Sequence, residues 1–587
     1  MEIPLKKSLI TAAIIAASVW ALGAAPTERV PDDPSIPPRV PAVFPSTWRF
    51  PAGGRATFAP HAMVASDNQI ASDVGVQIMK EGGNAVDAAV ATGFALAVAY
   101  PEAGNLGGGG YMVIRMADGR AAALDYREVA PLAATRDMYV GANGKLTGES
   151  VVGPKASGVP GAVAGMMEAH HRFGSLPIAK VLAPAIRLAS EGFIVDSTFQ
   201  RSVGSAKYRI ENFSGRTSFF PNDSGPGFGS RFTQPALART IRLIADSGAS
   251  AFYRGSIADS IAAEMQRSGG LITKEDLARY RPVWRQPIRS SYRGYSFICM
   301  PPSSSGGTTV TEILNIVEAY GQPARFGSAE EIHALASASQ RAFVDRNSKL
   351  GDPAFVSVPI ARLTSKAYAR TVAKTISRDR ADPTARLASS EREGNETTHY
   401  SVVDQFGNAV ATTTTLNDLY GSGVYVRGAG FFLNDEMDDF TSKPGTPNMF
   451  GLIQGEANAI APGKRMLSAM SPTIVLDPKG QLLLVTGARG GPRIISATSQ
   501  IILNVIDHRM TLADAMSAPR LHHQSLPDSI QLEPGGFEPA VIARLREMGH
   551  FVYEQRGIAS AASIMRVKGG YDGLDDPRSR GGAAVGF

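Results

Sequence analysis

Thr397 and Thr398 open the run His399-Tyr400-Ser401-Val402-Val403-Asp404. Thr, Tyr, Ser and Val in this order favour a β-strand. The stretch before it, Ser377 to Glu396, is polar and has no apolar periodicity. It reads as an exposed connection that can be cut. A break between Glu396 and Thr397 would leave a threonine with a free α-amine at a strand start. Such a residue carries a nucleophile and its own base, because the amine can take the hydroxyl proton. Without a break, the same residues are a surface loop entering an edge strand.

Further residues could complete such chemistry. Thr415 and Asn417 lie two apart on a strand pattern, so their side chains share a face. Asn434-Asp435-Glu436-Met437-Asp438-Asp439-Phe440 crowds acids and amides into seven positions. A solvated turn and a cation site both fit, but the calcium pattern of spaced acids followed by Gly and a later Glu is absent, and no metal is expected. In Thr486-Gly487-Ala488-Arg489-Gly490-Gly491, paired glycines let backbone N–H groups point at one oxygen. Arg127 follows a strand pattern and could hold a carboxylate with two hydrogen bonds, or serve as a structural ion pair.

The elements that must position these groups are legible in outline. Helical spacing runs from Ser66 to Lys80, and Asn84 can cap a second helix, Ala85 to Tyr100, apolar all round and therefore buried. Gly107 to Gly110 implies close backbone approach or positive φ. No phosphate-binding spacing accompanies it. Tyr111–Arg115 and Ala121–Tyr126 flank Asp118-Gly119, a hairpin signal. Residues 150 to 290 alternate helical pattern and turns. Pro301 to Gly307, with three serines, precedes a helix from Thr309 to Tyr320, and another follows from Glu330 to Leu350. After Thr397 the pattern turns to strands: Thr397–Val403, Ala409–Thr415, Thr473–Asp477 and Leu482–Thr486. Helices return at Gln500–Asp507 and Pro539–Met548. The expected fold class is α+β, two antiparallel sheets stacked between helical layers.

The 587 residues include 44% hydrophobic and 19% charged positions, with a net charge of +6. That composition excludes global disorder, and the small excess charge with no basic run gives no reason to expect nucleic acid. Residues 1–25 read as a signal peptide: Lys6 and Lys7, an apolar stretch from Leu9 to Leu22, then Gly23-Ala24-Ala25. An uncleaved anchor is the alternative; stable membrane insertion after signal removal is not expected. Residues 26–60 are Pro-rich and read as a tether, with the folded part beginning near His61. The single cysteine, Cys299, excludes an intrachain disulfide and fits a buried strand. Neither a Gly-x-Ser-x-Gly elbow nor a His-Glu-x-x-His helix is present.

The run Thr397 to Asp404 resembles the start of the small subunit of the gamma-glutamyltransferases, N-terminal-nucleophile hydrolases that cut themselves at this point. Pro101 to Met112, Asp125 to Pro131, Asn434 to Phe440, Leu467 to Thr473, Thr486 to Arg493 and Asp575 to Ser579 carry the same resemblance. It implies a four-layer αββα fold, a large subunit 61–396 and a small subunit 397–587. Thr397 would be the nucleophile, Thr415 its hydrogen-bond partner, and Gly490 and Gly491 the oxyanion hole. Arg127 and Ser468 would take the substrate α-carboxylate, Glu436 and Asp439 the α-ammonium, and Asn417 a further substrate contact. The loop from Thr441 to Lys464 would be a lid. No cofactor is implied; the substrates would be glutathione, γ-glutamyl amides and amino-acid or peptide acceptors, in the periplasm or outside the cell. Two positions depart from the pattern. Ala469 replaces a second serine, and Arg489 stands where the family often has proline. A same-fold acylase and an inactive relative are the alternatives.

Overall fold

The computed structural model of the protein describes residues 38–221, 223–384, 396–449, 451–579 and 581–587. The signal peptide, the first part of the tether and residues 385–395 of the cuttable connection lie outside the described residues.

Two antiparallel sheets form the centre. The first runs Ala583–Gly586, Met63–Ser66, Glu396–Val403, Ala409–Asn417, Gly109–Arg115, Ala121–Asp125, Val283–Arg285. The second runs Thr57–Ala59, Gly570–Asp575, Ser560–Val567, Leu482–Thr486, Thr473–Leu476, Tyr295–Cys299, Ile288–Tyr292. The sheets pack face to face through Met63, Tyr111, Val113, Ala411, Val485 and Ile564, with Ser401 Oγ donating to the Ala562 carbonyl across the interface at 2.9 Å. Helices Gln69–Lys80 and Ala85–Ala99 cover the first sheet; Gly306–Tyr320 and Arg493–Ile506 cover the second. This is the expected four-layer αββα arrangement.

Residues from both sides of Glu396 build both sheets. In the first, the Glu396–Val403 and Ala409–Asn417 hairpin lies between Met63–Ser66 and Gly109–Arg115. Chain fragments produced by a cut before Thr397 would therefore share both cores and separate only by unfolding.

Local sequence explains the central hairpin. Asp404 Oδ1 accepts from the amides of Phe406 and Asn408, each at 2.9 Å, and Gly407 takes φ +86°. The side chain thereby closes the turn. Asp404 Oδ2 accepts from Ala85 N at 2.8 Å, which ties the turn to the start of the buried helix. Asn84 and Asp87 form a reciprocal cap there, and every residue of Ala85–Ala99 is buried.

The four glycines at 107–110 serve close approach rather than positive φ. A Cβ on Gly108 would overlap the Thr415 carbonyl oxygen, and one on Gly110 that of Thr413. We expect Gly108→Ala to lose about 1–3 kcal/mol of stability by overpacking, read by denaturant unfolding. Wild-type stability in that variant would contradict the close contact.

Two expectations are corrected. The folded part begins before His61: Trp48 is buried, its Nε1 donating to the Ser517 carbonyl at 2.9 Å, and Thr57–Ala59 is an edge strand. Apolar burial of one aromatic outweighs the extended Pro-rich setting. The helix expected at Gln500 begins two turns earlier, at Arg493, directly after the Gly490-Gly491 turn. The three serines before the helix Gly306–Tyr320 tie it to neighbouring segments: Ser303 Oγ donates to Asp125 at 2.9 Å, Ser304 Oγ to the Met470 carbonyl at 2.5 Å and Ser305 Oγ to the Ser468 carbonyl at 2.6 Å. Cys299 is buried at a strand end as expected, its thiol pushed up to about 12 by burial. Among the described residues, no helix is long and apolar enough to cross a membrane.

Candidate active site

One pocket brings together Arg127, Thr397, Thr415, Asn417, Glu436, Asp439, Ser468 and Gly491. These residues span more than 360 positions of sequence, so the fold alone assembles them.

Thr397 pairs with Thr415 across the hairpin, and the register shifts between Glu396 and Thr397, so that Glu396 pairs with Asn417. A bulge re-aims a side chain and weakens local pairing. Here it falls at the expected scissile bond. Thr397 Oγ1 lies 3.4 Å from Thr415 Oγ1. Thr415 Oγ1 accepts from Asn417 N at 2.7 Å, which turns its own hydroxyl proton away from that amide. Asn417 takes φ +82°, a left-handed conformation that asparagine tolerates, and its Nδ2 donates to the Asp435 carbonyl at 3.1 Å.

Gly490 and Gly491 have φ +127° and +56° and lead into the helix Arg493–Ile506. Neither backbone N–H donates to a described residue. Arg489, the unusual cation, does not line the pocket. Its Nε donates to Asp67 Oδ1 at 3.0 Å, and the other Asp67 oxygen accepts from Thr398 at 2.8 Å.

Arg127, Glu436 and Asp439 form one buried ion cluster. Arg127 Nη1 donates to Glu436 and Nη2 to Asp439, while Nε donates to the Met466 carbonyl at 3.4 Å. Burial works against the guanidinium charge, but Glu436 and Asp439 outweigh it and raise its pKa above the ordinary value. Arg127 thus forms the structural ion pair that the sequence reading offered for it. Sequence reading missed Glu128, whose carboxylate lies 3.6 Å from Arg127 Nη1 without a hydrogen-bond partner. Burial pushes the Glu128 carboxyl up to about 8. Three acids surround one cation, and Glu128 is the one without a hydrogen bond to it.

A folded-state pKa raised above the ordinary 4.5 stabilises below that value, and the contribution is lost as pH rises through about 8. Glu128→Gln should therefore match wild-type thermal stability at pH 5 and exceed it at pH 9. A variant less stable than wild type at both would refute the assignment.

Asp438 points elsewhere, accepting from Ser150 Oγ at 2.7 Å and Met449 N at 3.0 Å; burial raises its pKa to about 6. It fastens the start of the Thr441–Lys464 loop, whose Leu452 lines the pocket. Ser468 lines the pocket too, its Oγ accepting from Met470 N at 3.1 Å. His399, two residues from Thr397, is no candidate base. Burial lowers its pKa to about 3, and its ring nitrogens contact Thr413 and Ser401.

A threonine one residue into a central strand, beside a second hydroxyl and a pair of glycine amides inside a sheet-on-sheet sandwich, fits the N-terminal-nucleophile hydrolase class. A protein-family model described as gamma-glutamyltranspeptidase matches residues 71–586. The glutathione hydrolase proenzyme of Escherichia coli strain K12 is 46% identical over 539 residues, 90% of this chain and 92% of that protein. The solved cephalosporin acylase of Bacillus halodurans superposes with a TM-score of 0.80 at 29% identity, covering 93% of this chain and 99% of that one. The solved gamma-glutamyltranspeptidase of Helicobacter pylori superposes with a TM-score of 0.54 at 41% identity, covering 56% of this chain and 95% of that one. The chain belongs to the gamma-glutamyltranspeptidase family.

Proposed function

We propose that the chain is a self-cleaving γ-glutamyl transferase and glutathione hydrolase that uses Thr397 as its nucleophile. The observation that carries the reading is Thr397 at a strand bulge, sharing one pocket with the Arg127–Glu436–Asp439 cluster. In maturation, the Thr397 hydroxyl attacks the Glu396 carbonyl carbon and the peptide C–N bond breaks. The resulting ester is opened by water, which leaves a carboxylate on Glu396 and a free amine on Thr397.

In turnover, the same oxygen attacks the donor γ-carbonyl. Its proton passes to the Thr397 amine, whose ordinary pKa of about 7.7–8.0 leaves part of it neutral near pH 7. Thr415 donates to the nucleophile oxygen. The Gly490 and Gly491 amides receive the negative charge of the tetrahedral intermediate, where one donor is worth about 2.7–4 kcal/mol. The ammonium then protonates the departing amine, and water or an acceptor amine opens the threonyl ester. Glu436 and Asp439 receive the donor's α-ammonium, Arg127 and Ser468 its α-carboxylate, and Asn417 the glutamyl head group.

The likeness to a solved cephalosporin acylase supports a second reading, an amidase for other acyl groups. Two acids in the pocket favour the glutamyl donor, since an acyl chain without an amine leaves them unmatched. The signal-like residues 1–25 support export to the periplasm or beyond. The test is N-terminal sequencing of the smaller fragment together with a γ-glutamyl release assay on the same sample. A fragment starting anywhere but Thr397 rejects the nucleophile.

A further inference from the structure

Two segments of the site must keep a fixed separation, yet they belong to different sheets. Thr397 lies in the first sheet. Ala488–Arg489, which leads into Gly490 and Gly491, pairs with Ser560–Ala561 of the second. Apolar packing between sheet faces is not directional, so it sets the relative position of the segments only loosely. A directional bond between them can set it closely.

Asp67 supplies such a bond. Its Oδ1 accepts from Arg489 Nε at 3.0 Å, and its Oδ2 accepts from Thr398 Oγ1 at 2.8 Å. Thr398 directly follows the nucleophile, and Arg489 directly precedes the two glycines. One carboxylate therefore spans the two segments, one residue away from the reacting group on each side. The side chains of Asp67 and Arg489 are 3% and 17% exposed, a largely dry setting in which a charged hydrogen bond is stronger than in water. Asp67 is itself held at both ends. Ser66 before it pairs with Tyr400 in the first sheet, and Asn68 after it caps the helix Gln69–Lys80, accepting from Ala71 N at 3.2 Å. A second contact joins the same segments. Gly487 lies against His399, and a Cβ there would fall 2.3 Å from the ring Cε1. The ring limits how close the segments come; the carboxylate adds direction.

We infer that Asp67 and Arg489 are positioning residues that clamp the oxyanion turn to the nucleophile strand, holding the Gly490 and Gly491 amides in register with Thr397 Oγ1. This rests on Thr397 as nucleophile and the two glycines as oxyanion donors. Neither Asp67 nor Arg489 lines the pocket that holds Thr397, so the clamp acts through its neighbours. It acts on every step that forms an oxyanion: self-cleavage, acylation and deacylation.

The test measures self-cleavage of the precursor and turnover of γ-glutamyl-p-nitroanilide by the processed enzyme. Arg489→Ala should lower kcat by about 10–100-fold and leave KM within about twofold, because acylation and deacylation slow together and the donor-binding side chains are untouched. Self-cleavage should slow as well. Arg489→Lys keeps a cation able to reach Asp67 and should recover part of the loss. Asp67→Ala removes the same link and should lose at least as much as Arg489→Ala, while the double variant should be no worse than Asp67→Ala alone. Wild-type kcat and self-cleavage in Arg489→Ala would overturn the inference. So would a loss carried by KM, equal damage in the Lys and Ala variants, or additive losses in the double variant. If an alanine variant fails to fold, Arg489→Gln, which keeps most of the stem, decides by the same split between kcat and KM. Wild-type enzyme that cuts itself before Thr397 but releases no p-nitroaniline rejects the γ-glutamyl reading instead, and the self-cleavage rates then decide the clamp.

Discussion

Thr397→Ala is expected to remain a single uncut chain and to lose γ-glutamyl release by about 10⁴-fold or more. The same hydroxyl is assigned both to the cut and to turnover, so one substitution removes both. Thr398 cannot stand in. One residue along a strand points to the opposite face, and its Oγ1 is engaged by Asp67 at 2.8 Å. His399 cannot stand in either, because burial keeps it neutral and its ring is packed against Thr413 and Ser401. Thr397→Ser keeps a hydroxyl and, after cutting, an amine; it should still be processed, more slowly. A denaturing gel and an anilide release assay read both outcomes. Two fragments from the alanine variant, with the small one beginning at residue 397, would sink the nucleophile.

The chain announces much of this architecture before any coordinates. The hairpin carrying Thr397 and Thr415 has alternating β-branched residues and an Asp–Gly–Asn turn, signals that act over a few residues. The buried helix at Ala85 is equally plain, because a capped run with no polar side has nowhere to lie but the interior. What sequence does not reveal is which charges meet. Arg127 lies 309 positions from Glu436, and nothing in either neighbourhood says that they touch. Arg489 illustrates the reverse case. Next to two glycines it suggests a cation at the reaction centre, yet a long side chain reaches away from its backbone, and it meets Asp67. Trp48 was similarly hidden inside a Pro-rich stretch whose composition suggests a loose tether.

Glu436→Gln is expected to lower kcat/KM for a γ-glutamyl anilide by about 10²–10³-fold, and to change that for a glutaryl anilide far less. The two donors share the carboxylate, the chain length and the scissile amide. They differ only in the α-ammonium, so their ratio isolates the group that Glu436 is assigned to hold. Glutamine keeps an oxygen able to accept from Arg127 Nη1, which limits rearrangement of the cluster. It removes the carboxylate, leaving Asp439 as the only acid hydrogen-bonded to Arg127. Self-cleavage involves no substrate ammonium, so the variant should still yield two fragments, which separates lost recognition from lost folding. The wild-type enzyme should favour the glutamyl donor, and Glu436→Gln should narrow or reverse that preference. A variant that is cut normally but loses both donors equally would show that the cluster serves pocket architecture, and the acylase reading would then stand level with the glutamyl one.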